Sequence, residues 1–204
     1  MLTCENLSVS INQDVILSKL NFTLLDKNCL VIKGKNGSGK STLLKTLGGF
    51  LSPAEGKILW HGKSIHDDLA LYQSTQISYL GHNLGLKNFL SARENLTFFA
   101  QCKGSVEIIE ACLKYFGIEH CIDEPLCNLS KGTIKKIGLS RMMLSRSRIW
   151  LLDEPDNNLD ALGKEMLSKL IDIKLNEGGI VVLTSHDKSI NEQMPSLELE
   201  DYRL

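Results

Sequence analysis

Gly34-Lys35-Asn36-Gly37-Ser38-Gly39-Lys40-Ser41-Thr42 is the stretch that decides the fold. It fits G-x-x-x-x-G-K-[ST], with the apolar run at 30–33 before it and a helical pattern at 41–47 after it, stopped by Gly48-Gly49. Glycines let the backbone curl until successive N–H groups converge, and the helix N-terminus adds partial positive charge, so the loop reads as a cradle for nucleotide phosphates. Gly34, Asn36, Gly37, Ser38, Gly39, Lys40, Ser41 and Thr42 are its candidate binding residues. Lys40 is expected to reach the β- and γ-phosphates, and the Ser41 hydroxyl to hold Mg²⁺. A glycine-rich turn beside a surface lysine is the alternative, and the strand-loop-helix context weighs against it.

About 110 residues further on, Ile149-Trp150-Leu151-Leu152 runs as a continuous apolar strand into Asp153-Glu154. Many strands end in an acid. After a phosphate loop, however, a parallel sheet brings the two strand ends together, so Asp153 is expected at Mg²⁺ and Glu154 is expected to activate the attacking water. The next apolar strand, 180–183, ends at Thr184-Ser185-His186, which places His186 on the same edge as a candidate γ-phosphate contact.

The remainder has an order that suits one α/β core with an insert. Short strands are expected at 7–9, 15–17, 22–25, 57–60 and 77–80, with a turn at Asn12-Gln13-Asp14. Residues 83–145 read as helical. Ser91-Ala92-Arg93-Glu94 is a capping box, and Ser105 caps a second helix with Val106, Ile109, Leu113 and Phe116 on its apolar face. A third helix starts at Ser130, and Ala161–Asn176 is a fourth, with Leu162, Met166, Leu170 and Ile173 on one face. The expected organisation is a single unit of 204 residues, with 1–82 and 146–204 as α/β core and 83–145 as helical subdomain.

Leu129-Ser130-Lys131-Gly132-Thr133 by itself is a helix cap; between the phosphate loop and the carboxylate strand it reads as a second phosphate contact through Ser130 and Gly132. With Asp153-Glu154-Pro155, Leu159-Asp160 and His186, five motifs in order, the chain resembles the ABC ATPase family over nearly its whole length. The resemblance implies a P-loop NTPase core with an N-terminal antiparallel β subdomain and a helical insert. It also implies ATP and Mg²⁺ as cofactors, and a head-to-tail homodimer in which Ser130 and Gly132 cap the nucleotide on the opposite copy. Glu154 would be the catalytic carboxylate, Lys40 and His186 its partners at the γ-phosphate, and Asp160 would lie near the dimer seam.

A narrower resemblance is to the cytochrome c maturation ATPases, or haem exporter ATP-binding subunits (CcmA). It is carried by Leu59-Trp60-His61-Gly62, Tyr79-Leu80-Gly81-His82, Gly85-Leu86-Lys87 and the run from Leu90 to Leu96. It implies an integral membrane partner of the CcmB type, a peripheral place on the cytoplasmic side of the bacterial inner membrane, and haem or a haem chaperone as cargo. His82 matches the histidine that this narrower family often carries where other ABC proteins place a glutamine, which makes it a candidate Mg²⁺ contact; Thr133 replaces the signature glutamine, and Ile11 stands where an aromatic stacks on adenine. The alternatives are the ATPase of another ABC transporter, a non-transport ABC protein acting on DNA or ribosomes, and a degenerate nucleotide-binding module. The second would normally bring tandem cores, coiled coils or zinc inserts, none of which is visible.

Composition agrees with a globular domain and narrows the partners. With 23 basic and 24 acidic residues the net charge is −1, so no global field draws the chain to nucleic acid, and none is expected as a partner. The basic run between Lys131 and Arg148 reads as a solvated helix face with subunit contacts. Six cysteines without a C-x-x-C pair read as small hydrophobes rather than disulfides or zinc ligands. No apolar stretch approaches the roughly 18–20 residues of a membrane span, and Met1 to Glu5 lacks the pattern of a signal peptide. Leu84, Leu86, Phe89 and Leu90 beside His82 read equally as core packing and as a groove for a membrane partner's helix.

Overall fold

The computed structural model describes residues 1–12, 14–103, 106–185 and 194–203. The expectations for His186 and for Ser105 lie outside the described residues. The chain opens as a hairpin, β1 (Leu2–Ile11) and β2 (Asp14–Leu24), and runs through β3 (Cys29–Lys33) into α1 (Lys40–Leu47). Strands β4 (Glu55–Trp60) and β5 (Lys63–Ser64), a short helix α2 (Leu69–Leu71) with a wide turn at Tyr72–Gln76, and β6 (Ile77–Leu80) follow. Helices α3 (Ala92–Lys103), α4 (Ile109–Tyr115) and α5 (Lys131–Leu144) precede β7 (Ile149–Asp153), α6 (Ala161–Asn176), β8 (Ile180–Thr184) and β9 (Ser196–Glu198).

These strands make two sheets: an antiparallel one in the order β2-β1-β4-β5 and a parallel one in the order β6-β7-β8-β3-β9. The two short strands expected within 15–25 are one strand, Asp14–Leu24. Register shifts against β1, with Lys19 at φ 57°, bend it and disguise its alternation. In the parallel sheet β7 and β8 are buried along their full length, because helices cover both faces. Alternate residues serve opposite sides. Trp150, Leu152, Val181 and Leu183 face the core beneath α5 and α6. Ile149, Leu151, Ile180 and Val182 face the core that holds Leu43, Leu44 and Leu47 of α1.

Between β6 and β7 the chain is helical. The capping box forms as expected: Ser91 N–H donates to Glu94 at 2.7 Å, and Glu94 N–H donates back to Ser91 Oγ at 3.2 Å. Ile109, Leu113 and Phe116 are buried, whereas Val106 is 43% exposed because residues 106–108 wind as a 3₁₀ turn outside the α-helical stripe. The buried face of α6 is also rotated from expectation. Gly163, Leu167, Leu170, Ile171 and Lys174 pack inward, while Leu162 and Ile173 are 60% and 45% exposed. Both sets fit a 3.6-residue period; what the pattern missed is that Lys174 hides its stem by laying its ammonium 5.2 Å above the Trp150 ring.

The basic run at 131–148 also departs from a solvated face. Lys135 is buried, and Arg141 donates to the carbonyls of Leu84 and Tyr79, each at 2.7 Å, with its guanidinium 5.1 Å from the Phe99 ring centre. Arg141 thereby staples α5 to β6 and the chain leaving it, while Lys135 ties α5 to the loop after β7. Of the candidate groove, Leu84 and Leu86 pack against the core while Phe89 is 76% exposed. Cys4, Cys29, Cys112 and Cys121 are buried, and Cys102 and Cys127 are exposed thiols. Among the described residues no helix is long and apolar enough to cross a membrane.

Candidate nucleotide-hydrolysis site

The parallel sheet converges its chemistry on one edge. Register pairs Ile32 with Thr184 across β3 and β8, and Thr184 with Asp153 across β8 and β7. The phosphate loop and the carboxylates therefore stand one strand apart, at the C-terminal ends where α/β sheets bind ligands. Thr184 occupies the gap, fully buried, and its hydroxyl works in two directions. It donates to Asp153 Oδ1 at 2.9 Å and accepts the Glu154 N–H at 2.8 Å.

The 34–42 loop is curled as its glycines predicted. Gly39 sits at φ 98° before α1, a backbone conformation that requires glycine; a Cβ there would also meet Ile16 Cδ1 at 2.6 Å, a side-chain end that can move aside. Lys40 is almost wholly buried, its ammonium donating to the carbonyls of Gly34 and Lys35 at 2.7 and 3.1 Å. Ser38 Oγ is buried without a hydrogen-bond partner among the described residues. A loop wrapped around a lysine ammonium, with a buried hydroxyl still to satisfy, fits an anionic group with several acceptor oxygens. The cleft over this loop, about 310 Å³, is lined by Ile11, Asn36, Gly37, Gly39, Lys40, Ser41, Thr42 and Glu154. Ile11 is 43% exposed there, an apolar surface without a ring to stack on a base.

Glu154 turns out of β7 in the left-handed region, φ 47°, which costs a non-glycine residue about 1–3 kcal/mol and is held only by surrounding contacts. Besides the Thr184 contact, its carbonyl accepts from Lys135 Nζ at 2.7 Å and its carboxylate accepts from Asn157 Nδ2. Burial pushes the Lys135 ammonium below the ordinary lysine range, while Asp156, Asp153 and Glu154 oppose that shift. Asp156 is itself buried, accepting from Ser185 Oγ at 3.0 Å. Tyr79 is pushed up to about 12 by burial and then by the Asp153 charge.

Ser130 caps α5, its Oγ accepting the Thr133 N–H at 3.1 Å and lying 2.8 Å from the Thr133 hydroxyl. Threonine in place of glutamine thus ties itself to the capping serine. Gly132 permits close approach, since a Cβ there would meet the Asn158 carbonyl at 2.9 Å. Ser130, Gly132 and Thr133 share an open cleft with Lys136, Asn158 and Asp160 and do not line the phosphate cleft of their own chain. Asp160 caps α6 by accepting the Gly163 N–H at 2.8 Å and pairs with Lys136 at 3.5 Å. His82 is exposed and lines a third cleft with Lys131, Lys135, Glu154 and Asn157. That placement puts it in one cleft with Glu154 and outside the cleft that Ser41 lines.

Sequence reasoning missed Thr184, Lys135 and Asp156 as site residues. Thr184 carried a signal, a hydroxyl at the end of an apolar strand neighbouring the carboxylate strand. Lys135 and Asp156 carried none, because their burial depends on how α5 packs against the loop after β7.

A phosphate loop and a carboxylate strand one strand apart, with a serine-headed helix lining a separate cleft, define the class: a P-loop ATPase of the cassette type. Residues 17–157 match the ABC transporter family, ABC_tran. The cytochrome c biogenesis ATP-binding export protein CcmA of Rickettsia bellii is 36% identical over 199 residues, covering 98% of this chain and 100% of that protein. A Pyrococcus furiosus protein described as an ABC transporter's ATP-binding protein superposes with a TM-score of 0.86 at 27% identity, covering 100% and 99% of the two chains. The ATP-binding cassette MJ0796, solved as a dimer in a post-hydrolysis state with ADP and Pi, shares the fold at a TM-score of 0.85 and 23% identity, covering 98% of this chain and 94% of its own. The chain belongs to the ABC transporter family and is an ATP-hydrolysing, CcmA-like ABC ATPase.

Proposed function

We propose that this chain drives a membrane complex of cytochrome c biogenesis, coupling ATP hydrolysis to the handling of haem or a haem-loaded chaperone. The observation that carries the catalytic part is that Glu154 lines the same cleft as Asn36, Gly37, Gly39, Lys40, Ser41 and Thr42. A base must lie within reach of the water that attacks the terminal phosphate, and among the described residues no other carboxylate lines that cleft. The loop's N–H groups and Lys40 hold and neutralise the phosphates, while Glu154 orients the water and takes its proton. Ser41 and Asp153 would hold Mg²⁺, which supplies further charge neutralisation on the phosphates. Thr184 holds the Asp153 carboxylate and the backbone N–H of Glu154. His186 is proposed as the remaining γ-phosphate contact from its place after β8.

Ser130 and Gly132 line a cleft separate from that of their own loop, which favours the reading that they complete the site of a second copy in a head-to-tail dimer. ATP closes that dimer and hydrolysis reopens it. With no membrane-spanning helix among the described residues, the movement would pass to an integral membrane subunit of the CcmB type. The chain would then sit peripherally on the cytoplasmic side of the inner membrane. The cytochrome c assignment rests on likeness to CcmA over almost the full length of both chains. It is tested by deleting the gene and staining for covalently bound haem: c-type cytochromes should vanish, return with the wild-type chain and stay absent with Glu154→Gln. Normal c-type cytochromes in the deletion strain would refute the assignment and favour another cargo.

A further inference from the structure

Lys135 is only 5% exposed, an unusual place for an ammonium, which normally remains in water unless partnered. It points from α5 toward the loop after β7, where its Nζ donates to the Glu154 carbonyl at 2.7 Å. The carboxylates acting on it are Asp156 first, then Asp153 and Glu154. Asp156 Oδ2 accepts from Ser185, whereas Asp156 Oδ1 is buried without a hydrogen-bond partner among the described residues. Asp156 therefore balances the ammonium's charge at a distance and leaves its hydrogen bond to the Glu154 carbonyl.

That bond falls on a residue that needs holding. Glu154 has a left-handed backbone, and its peptide groups are gripped on both sides: the N–H by Thr184 and the C=O by Lys135. Released on one side, a non-glycine residue relaxes toward ordinary φ values, and its carboxylate swings with the backbone. We propose that Lys135 is a positioning residue for Glu154: its ammonium fixes the Glu154 carbonyl and thereby the direction in which the carboxylate points into the phosphate cleft. This rests on the reading of Glu154 as the base. It also gives α5 two tasks, since the helix headed by Ser130 holds the base of its own chain one turn further on.

The test compares the full-length wild type, Lys135→Met, Lys135→Arg and Glu154→Gln in steady-state ATP hydrolysis, with ATP affinity measured separately. Misplacing a reacting group by about 1 Å costs on the order of a hundredfold. Lys135→Met should therefore lower kcat by about ten- to a hundredfold while KM stays within about threefold, and Lys135→Arg should recover kcat to within about threefold. Wild-type kcat in Lys135→Met would overturn the proposal, as would equal loss of kcat and ATP affinity without rescue by arginine. Should Lys135→Met not fold, Lys135→Gln decides by the same criteria. The two readings fail separately. Turnover retained in Glu154→Gln removes the assigned base, whereas an inactive Glu154→Gln beside a fully active Lys135→Met removes only the role of Lys135.

Discussion

Replacing Thr184 with valine keeps the shape of a fully buried side chain and removes one oxygen. That oxygen makes two hydrogen bonds, one to a carboxylate and one from a backbone N–H. Losing a hydrogen bond to a charged group costs about 1.5–3 kcal/mol, and stranding a buried N–H costs about 1–3 kcal/mol. The terms overlap, because one site relaxes for both, so about 3 kcal/mol is the expected net cost of Thr184→Val. For a chain of this size that lowers the melting temperature by about 6–12 °C. Thr184→Ser is the control: it keeps both hydrogen bonds and loses one buried methyl, about 1 kcal/mol. Urea unfolding followed by circular dichroism ranks the three proteins, and ATP turnover should fall further in the valine variant than in the serine variant. A Thr184→Val protein as stable as Thr184→Ser would refute the idea that this hydroxyl organises the edge of the sheet.

Three further outcomes follow from the structure. Ellman's reagent should titrate two thiols in the native protein, Cys102 and Cys127, and all six after unfolding; burial also pushes the Cys29 thiol up to about 12 and Cys112 to about 11, which slows their reaction further. Gly39→Ala should lose ATP affinity at least tenfold while remaining folded, because φ 98° strains any residue with a Cβ and pulls the loop from its curl; unchanged binding by isothermal titration would contradict the loop's assignment. Burial lowers the folded-state pKa of Lys174, so between that value and the ordinary lysine range the unfolded chain binds more protons and stability rises with pH. The stability difference between wild type and Lys174→Met should therefore move in favour of the wild type as pH climbs through that window, and a difference that is flat or falls would contradict it.

What the sequence made legible, and what it hid, divides along physical lines. The 34–42 loop, β7 and its two acids, and the α5 cap at Ser130 were readable because each depends on local chemistry: glycine backbones, a two-sided buried strand, a serine before a helix. The strand at 14–24 was misread because bulges break its alternation, and the α6 face was misread because one of its buried positions is a lysine, Lys174, whose ammonium lies over the Trp150 ring. Burial of Lys135 and Asp156 was invisible for a different reason. Each polar group is affordable only through the other and through the Glu154 carbonyl, contacts that exist only once α5 has docked. Local pattern thus located the site, while the tertiary contacts that shape it had to be seen.

The central claim is that the 34–42 loop is half a site, completed by Ser130 and Gly132 of a second copy. Light scattering on the Glu154→Gln protein, with and without ATP, tests it most directly, because a chain that binds but does not hydrolyse should accumulate in the closed state. The account predicts a doubling of mass with ATP, and its loss on adding Ser130→Arg while ATP affinity of the single chain is retained. A protein that stays monomeric with ATP, or that dimerises equally well with arginine at position 130, would contradict it.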